Sequence, residues 1–323
     1  MLKRLILYLL VSLVVIQSYA QSENNQPGIH GAFRAVGEMD LQEGTHRFQV
    51  RNARVIIAGR VHPKADYYFH TDLCDVGTMR ILDAFGRISV GGKLKIKVGQ
   101  FVVPFRNPQR FIFANRSFIA KKMMTYRAVG AQLSYSFKNI PIKVETSITN
   151  PSTIGRQEEW NHSTAFSGRM IYSDNFWQFS TGIASTKPYS IRANLVDGSF
   201  AWNDKKHWKV FGEYMYETYS SNAGKPVHTW LGFVDWHQNI KLGSFNRFSI
   251  QVREEGITEH LTLDESTTET DRHRVTIGST FSYISQDIQF DIRLNYENNH
   301  SHHTQNTIIG SKNQMITELV ILF

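Results

Sequence analysis

Apolar and polar residues alternate with a period of two along most of this chain, in segments of about ten residues separated by turn-forming clusters. Over residues 93–98, Leu94, Ile96 and Val98 share one face while Lys93, Lys95 and Lys97 share the other. Ile142, Val144, Thr146 and Ile148 alternate with Lys143, Glu145 and Ser147, and Phe248, Ile250 and Val252 with Arg247, Ser249, Gln251 and Arg253. The pattern returns where Ile288, Phe290, Ile292, Leu294 and Tyr296 alternate with Asp287, Gln289, Asp291, Arg293, Asn295 and Glu297. Side chains on a strand point to opposite faces in turn, so each segment predicts a strand with one apolar and one polar face. No run shows helical periodicity, and no Pro/Gly/Ser-rich linker divides the chain.

Near the end of the chain, Met315, Thr317, Leu319, Ile321 and Phe323 share a face, with Glu318 on the other. In water, a strand this apolar would be an aggregation hazard. It is stable if one face meets lipid and both edges are paired in a closed barrel. Its terminal aromatic resembles the C-terminal signature of Gram-negative outer-membrane proteins.

Turn signals alternate in length. Tight reversals are expected at His62-Pro63-Lys64, Gly91-Gly92, Lys138-Asn139, Ser173-Asp174-Asn175, Asn203-Asp204 and Ser285-Gln286. Longer connections are expected at residues 102–125 and 150–163, from Thr218 onward, and at residues 256–271 and 298–308. Short turns on one rim and long loops on the other are the pattern of outer-membrane barrels. The predicted fold is all-β, a transmembrane antiparallel up-and-down barrel of about sixteen strands. A barrel of that size leaves an aqueous channel. The competing fold, a soluble periplasmic sandwich, does not explain charged residues on one face of nearly every strand.

Lys3 and Arg4, the apolar run at residues 5–16, and Ser18-Tyr19-Ala20 read as a signal peptide over residues 1–20. The barrel is then expected over residues 21–323, in the outer membrane of a Gram-negative bacterium. Gln21 where a lipoprotein would carry cysteine argues against a lipid anchor. Cleavage would lower the formal charge from +8 to +6. A cationic surplus outside the cell suggests small anions as partners rather than nucleic acid, with lipid and lipopolysaccharide around the barrel. Cys74, the single cysteine, is expected unpaired near a loop.

Residues 102–125 have the content of a pore constriction. Loops longer than about 15 residues are usually functional or disordered. This one carries Phe105, Phe111, Ile112, Phe113, Phe118 and Ile119. Leaving such side chains in water forfeits roughly 1.5–3 kcal/mol each. Packing them on the inner wall recovers it and folds the loop into the lumen. The loop also carries Arg106, Arg110, Arg116, Lys121 and Lys122, with Arg127 just beyond, and no acidic residue. An inward loop of one sign is an anion filter. Charges on a wide wall are screened over about 8 Å at physiological salt. Loop cations therefore rank ahead of the wall lysines Lys93, Lys95 and Lys97. Glu145, Glu213, Asp291 and Glu318 are expected to make the wall mixed in sign.

The stretch Asp83-Ala84-Phe85 and the run from Val98-Gly99-Gln100-Phe101 to Pro104-Phe105 resemble the phosphate-selective porin O and P family. So do Asn115-Arg116-Ser117-Phe118, Tyr126-Arg127-Ala128-Val129-Gly130 and the basic segment at residues 48–55. The resemblance is densest over residues 48–137. It implies a sixteen-stranded trimeric barrel whose third loop folds inward and whose arginines and lysines conduct anions. It assigns pore roles to Arg110, Arg116, Lys121, Lys122 and Arg127, and to Arg51 and Arg54. Strand phase puts Arg51 inward with Arg47 and Gln49, and Arg54 on the opposite face unless a bulge intervenes.

His300, His302 and His303 are read as solvated loop residues rather than as a metal site. Trp177, Phe179, Trp202, Trp208, Tyr214 and Tyr216 suit interfacial aromatic girdles. Phosphate-cradling glycine loops, zinc-site spacings and a nucleophile elbow are absent, and no cofactor is implied. The expected function is passive diffusion of small anions such as phosphate. The alternatives are a general-diffusion porin with weak anion preference, an outer-membrane hydrolase and a structural barrel.

Overall fold

The computed structural model describes residues 27–75, 78–107, 118, 127–151, 160–220, 223–262, 265, 267–301 and 313–323. Its strands are β1 (Gly28–Asp40), β2 (His46–His62), β3 (Ala65–Asp75), β4 (Thr78–Ser89), β5 (Leu94–Val102) and β6 (Arg127–Ser136). They continue as β7 (Ile142–Thr149), β8 (Ala165–Ser173), β9 (Trp177–Thr186), β10 (Ala193–Asn203), β11 (Trp208–Tyr219) and β12 (Val227–Leu242). The remainder are β13 (Phe245–Ile257), β14 (His260–Leu261), β15 (Thr268–Glu269), β16 (Arg272–Ile284), β17 (Gln289–Ser301) and β18 (Gln314–Leu322). All but β14 and β15 pair antiparallel with their neighbours in one closed barrel of sixteen strands, and those two form a small hairpin between β13 and β16. Closure leaves no free edge, the condition that lets strands cross a membrane.

All six expected tight turns fall on one rim, joined by a seventh at Gly243 and Ser244 between β12 and β13. The period-two pattern missed that turn, although Gly243 adopts the left-handed conformation (φ 58°) that a two-residue hairpin favours. On the opposite rim, the connection between β5 and β6 is the third.

Burial alternates as the sequence pattern requires. Ile88, Val98, Leu133, Ile148, Ile183, Val196 and Ile277 lie exposed on the outside, while Glu38, Asp72, Glu145, Asp197, Glu213, Asp291 and Glu318 are buried within. This is an inside-out distribution for a protein in water and the expected one for a barrel in lipid. Aromatic residues gather outside at the short-turn rim. Trp177 stacks on Phe179 and approaches Trp202, and Phe245, Phe248, Phe281 and Phe290 form a second group.

The seam joins β1 to the end of the chain. Gly31 N–H donates to the Phe323 carbonyl at 2.7 Å, and Phe323 N–H to the Gly31 carbonyl at 3.1 Å. The Phe323 ring covers Gly31 so closely that an added Cβ would lie 2.1 Å from it. The same ring-on-glycine pairing recurs outside at Phe48 on Gly37, Phe200 on Gly212 and Trp230 on Gly256. A cross-strand contact of this kind contributes about 0.2–1 kcal/mol. Phe323→Ala is therefore expected to lower stability by that order, seen as a lower denaturant midpoint with an unchanged slope.

Candidate functional site: the lumen and its third loop

The described part of the third loop turns inward directly after β5. Val103 and Phe105 pack with Ala128 of β6, Leu195 of β10, Phe211 and Met215 of β11, and Leu231 and Phe233 of β12. Gly182 of β9 makes this possible. A Cβ there would sit 2.0 Å from the Phe105 carbonyl oxygen, so the loop backbone rests on the bare wall. Farther along, Phe118 N–H donates to the Glu255 carboxylate at 2.8 Å. Its ring lies under the Arg274 guanidinium and beside Val227 and Ile257. The described loop residues thus touch the inner wall at two places, Val103 and Phe105 against β6 and β9–β12 and Phe118 against β12, β13 and β16, burying apolar side chains that water would have penalised.

Arg106 anchors this loop. Its Nε and Nη2 donate to the two Glu213 oxygens at 2.6 and 2.5 Å, and its side chain is only 6% exposed. The Arg169 guanidinium donates to the Arg106 carbonyl and also pairs with Glu145. Asp197 lies diagonally across the β10–β11 ladder from Glu213, buried, with neither carboxylate oxygen hydrogen-bonded. Of the four acids expected to make the wall mixed in sign, Glu213 holds the cationic loop root directly and Glu145 does so through Arg169. Arg106 has little surface to offer a passing ion and is bound to Glu213, unlike the exposed filter residue expected of it.

Arg127 is likewise engaged, donating to Asp83 at 3.0 and 3.2 Å beside His70. Arg110, Arg116, Lys121 and Lys122 lie outside the described residues, as do His302, His303 and residues 1–26. His300 sits in β17, paired with His273 across the β16–β17 ladder, rather than in the loop expected for it. Cys74, the single cysteine and so in no disulfide within the chain, is half-buried near the end of β3, its thiol 3.9 Å from the Asp72 carboxylate.

On the wall, β2 carries a bulge. The β1–β2 register shifts between Arg34 and Ala35, with Arg51 as the extra residue. Asn52 and Arg54 thereby turn to the inner face, where both donate to Asp72 at 2.8 and 2.9 Å. Arg47, Gln49 and Arg51 converge on Glu38 from the same face. Side-chain exposures of 56% for Arg47, 21% for Arg51 and 31% for Arg54 leave these guanidiniums in contact with the lumen. Arg34 and Arg293 meet at Glu318, and Arg253 and Arg274 share Glu255 and Glu297. Sequence inspection did not single out these four arginines. The alternation that placed Arg253 and Arg293 opposite the apolar face was the available signal.

The β5 lysines differ. Lys97 Nζ donates to Gln132 at 3.1 Å and lies 4.7 and 5.2 Å from the centres of the Phe85 and Phe101 rings. Among the described residues it forms no ion pair, and neither does Lys95, which is exposed on the same face. Lys93 precedes the strand and caps the Phe137 carbonyl at the short-turn rim, off the wall where it was expected. Gly99, between Lys97 and Phe101 on this face, has a φ of 130°, and a Cβ there would strike the Ala84 carbonyl oxygen at 2.3 Å.

No family profile matches the chain, and no curated protein does. Solved structures match it throughout. OmpT of Vibrio cholerae in its trimer form aligns with a TM-score of 0.63 at 8% identity, over 93% of this chain and 100% of that one. An anion-selective porin from Comamonas acidovorans aligns at 0.62 and 11% identity, over 93% and 99% of the two chains. The chain has the fold of the outer-membrane porins. OprB of Pseudomonas putida gives 0.61 at 9% identity, over 93% of this chain and 94% of that one. At such identities the shared property is the sixteen-stranded barrel, and what crosses it must be read from this chain's own lumen.

Proposed function

We propose that this chain is a homotrimeric outer-membrane porin that lets small anions, phosphate among them, diffuse passively through its lumen. The observation carrying this reading is the pair of β5 lysines, Lys95 and Lys97, which stand on the inner wall and form no ion pair among the described residues. The arginines of β2 add to it, because Arg47 and Arg51 keep side-chain exposures of 56% and 21% toward the lumen while both pair with Glu38. The described residues of the third loop contact β6, β9–β13 and β16, and these cations stand on β2 and β5. Cations there lower the entry cost for an anion, and several adjacent sites let it leave again. No bond is made or broken in this mechanism. The phosphate-selective family and the trimer come from the motif resemblance, with the trimer form of a structural neighbour in support.

A second reading, a general-diffusion porin with weak anion preference, is favoured by the ion pairing of Arg34, Arg54, Arg106 and Arg127. Reconstitution into planar bilayers separates the two. A reversal potential in a KCl gradient measures the preference, and block of chloride current by phosphate at low concentration marks a specific site. Cation preference, or no conductance at all, would refute the anion pore. Arg116→Glu and Lys121→Glu report whether those loop cations reach the ion path.

A further inference from the structure

The lumen wall beside the unpaired lysines is aromatic rather than uniformly polar. Tyr68 of β3 and Phe85 of β4 are directly opposite each other on the inner face and stack at 5.1 Å with an interplanar angle of 15°. Both are only half-buried. His70 meets the Tyr68 ring edge-on at 6.3 Å. The next position toward β6 holds Gly99 paired with Gly130, so among the described residues the ladder places no side chain beside Phe85 on that row. The Lys97 ammonium leans over that gap, within 4.7 and 5.2 Å of the two ring centres. An inorganic anion would use the lysines and gain nothing from the rings. A wall built only for water would carry polar residues at Tyr68 and Phe85, as most inner positions of this barrel do.

Resting on the anion-pore reading above, we propose that this niche binds organic anions that join a carboxylate to a flat apolar face. The carboxylate would meet Lys97 and Lys95, and the flat face would lie on the Tyr68–Phe85 pair. Aromatic faces attract both a second ring and the apolar body of a solute, and the cation over Phe85 is already positioned for the charged end. The niche would thus make aromatic carboxylates better occupants of the pore than acetate or phosphate of equal charge.

The test uses the reconstituted full barrel, with benzoate, acetate and inorganic phosphate as blockers of chloride current. Benzoate is expected to block at concentrations about three- to tenfold lower than acetate, the range that one ring contact supplies. Phe85→Ala and Tyr68→Ala are expected to bring benzoate to the acetate value and leave acetate unchanged. Lys97→Gln is expected to weaken both. Phe85→Leu keeps the apolar volume without the ring, so it should also lose the benzoate advantage even if Phe85→Ala fails to fold. An anion-selective wild-type barrel that treats benzoate and acetate alike overturns the niche while sparing the pore. A benzoate advantage that survives Phe85→Leu overturns it too, and a barrel without anion preference overturns both readings.

Discussion

Glu213→Ala is expected to release the root of the third loop and to be the most destabilising single substitution in the lumen. The variant leaves the Arg106 guanidinium buried without its bidentate partner, in a site where its side chain is 6% exposed. Breaking a buried ion pair from one side costs about 3–5 kcal/mol, because the remaining charge stays desolvated. Arg106→Ala should cost a similar amount, since it leaves Glu213 beside the equally buried Asp197. Either loss frees residues 103–107 from the β9–β12 wall, so single-channel conductance should rise as the denaturant midpoint falls. The double variant Arg106→Met, Glu213→Met should recover much of the stability, because buried ion pairs are often replaceable by apolar side chains of similar volume. Gly182→Val tests the same anchor from the wall, since its Cβ would fall 2.0 Å from the Phe105 oxygen. If the Glu213→Ala barrel keeps wild-type conductance and stability, the loop is held by something other than this pair.

Reversing charge on β5 is expected to have the largest effect on ion preference. Lys95 and Lys97 have no carboxylate to neutralise them among the described residues. A unit charge 5 Å from a passing ion is worth about 0.8 kcal/mol in water, so changing its sign alters local anion occupancy by roughly tenfold before salt screening. Lys95→Glu with Lys97→Glu should move the KCl reversal potential toward cation preference, most strongly at low salt where the Debye length is long. Arg54→Glu should shift it less and destabilise more, because it sets two carboxylates against each other at Asp72. A reversal potential unmoved by the double lysine change would place the ion path away from β5.

Most of the barrel was legible in the sequence because strand geometry writes itself in period two. The Lys93–Val98 alternation, the tight turns and the apolar face ending at Phe323 each follow from local rules. The inward burial of Phe105 and Phe118 was also legible, since large apolar side chains in a polar-flanked connection are costly to leave in water. The charges were harder to read. Arg106 and Glu213 are 107 residues apart, and nothing near either one announces the other. Arg106, read within a run of cations with no acid among them, looks unpaired until β11 supplies Glu213. Arg54 shows the same limit on a smaller scale, because one bulged residue at Arg51 reverses the face of everything after it on β2.

Local chemistry in the sequence thus determined the membrane-facing cylinder, its approximate strand number, the alternating rims and the segment that enters the lumen. Tertiary structure alone decided which of the described cations are paired with carboxylates. Charge pairing depends on which strands become neighbours and on what the third loop covers. Lys97 forms no ion pair among the described residues, whereas Arg106 is held by Glu213.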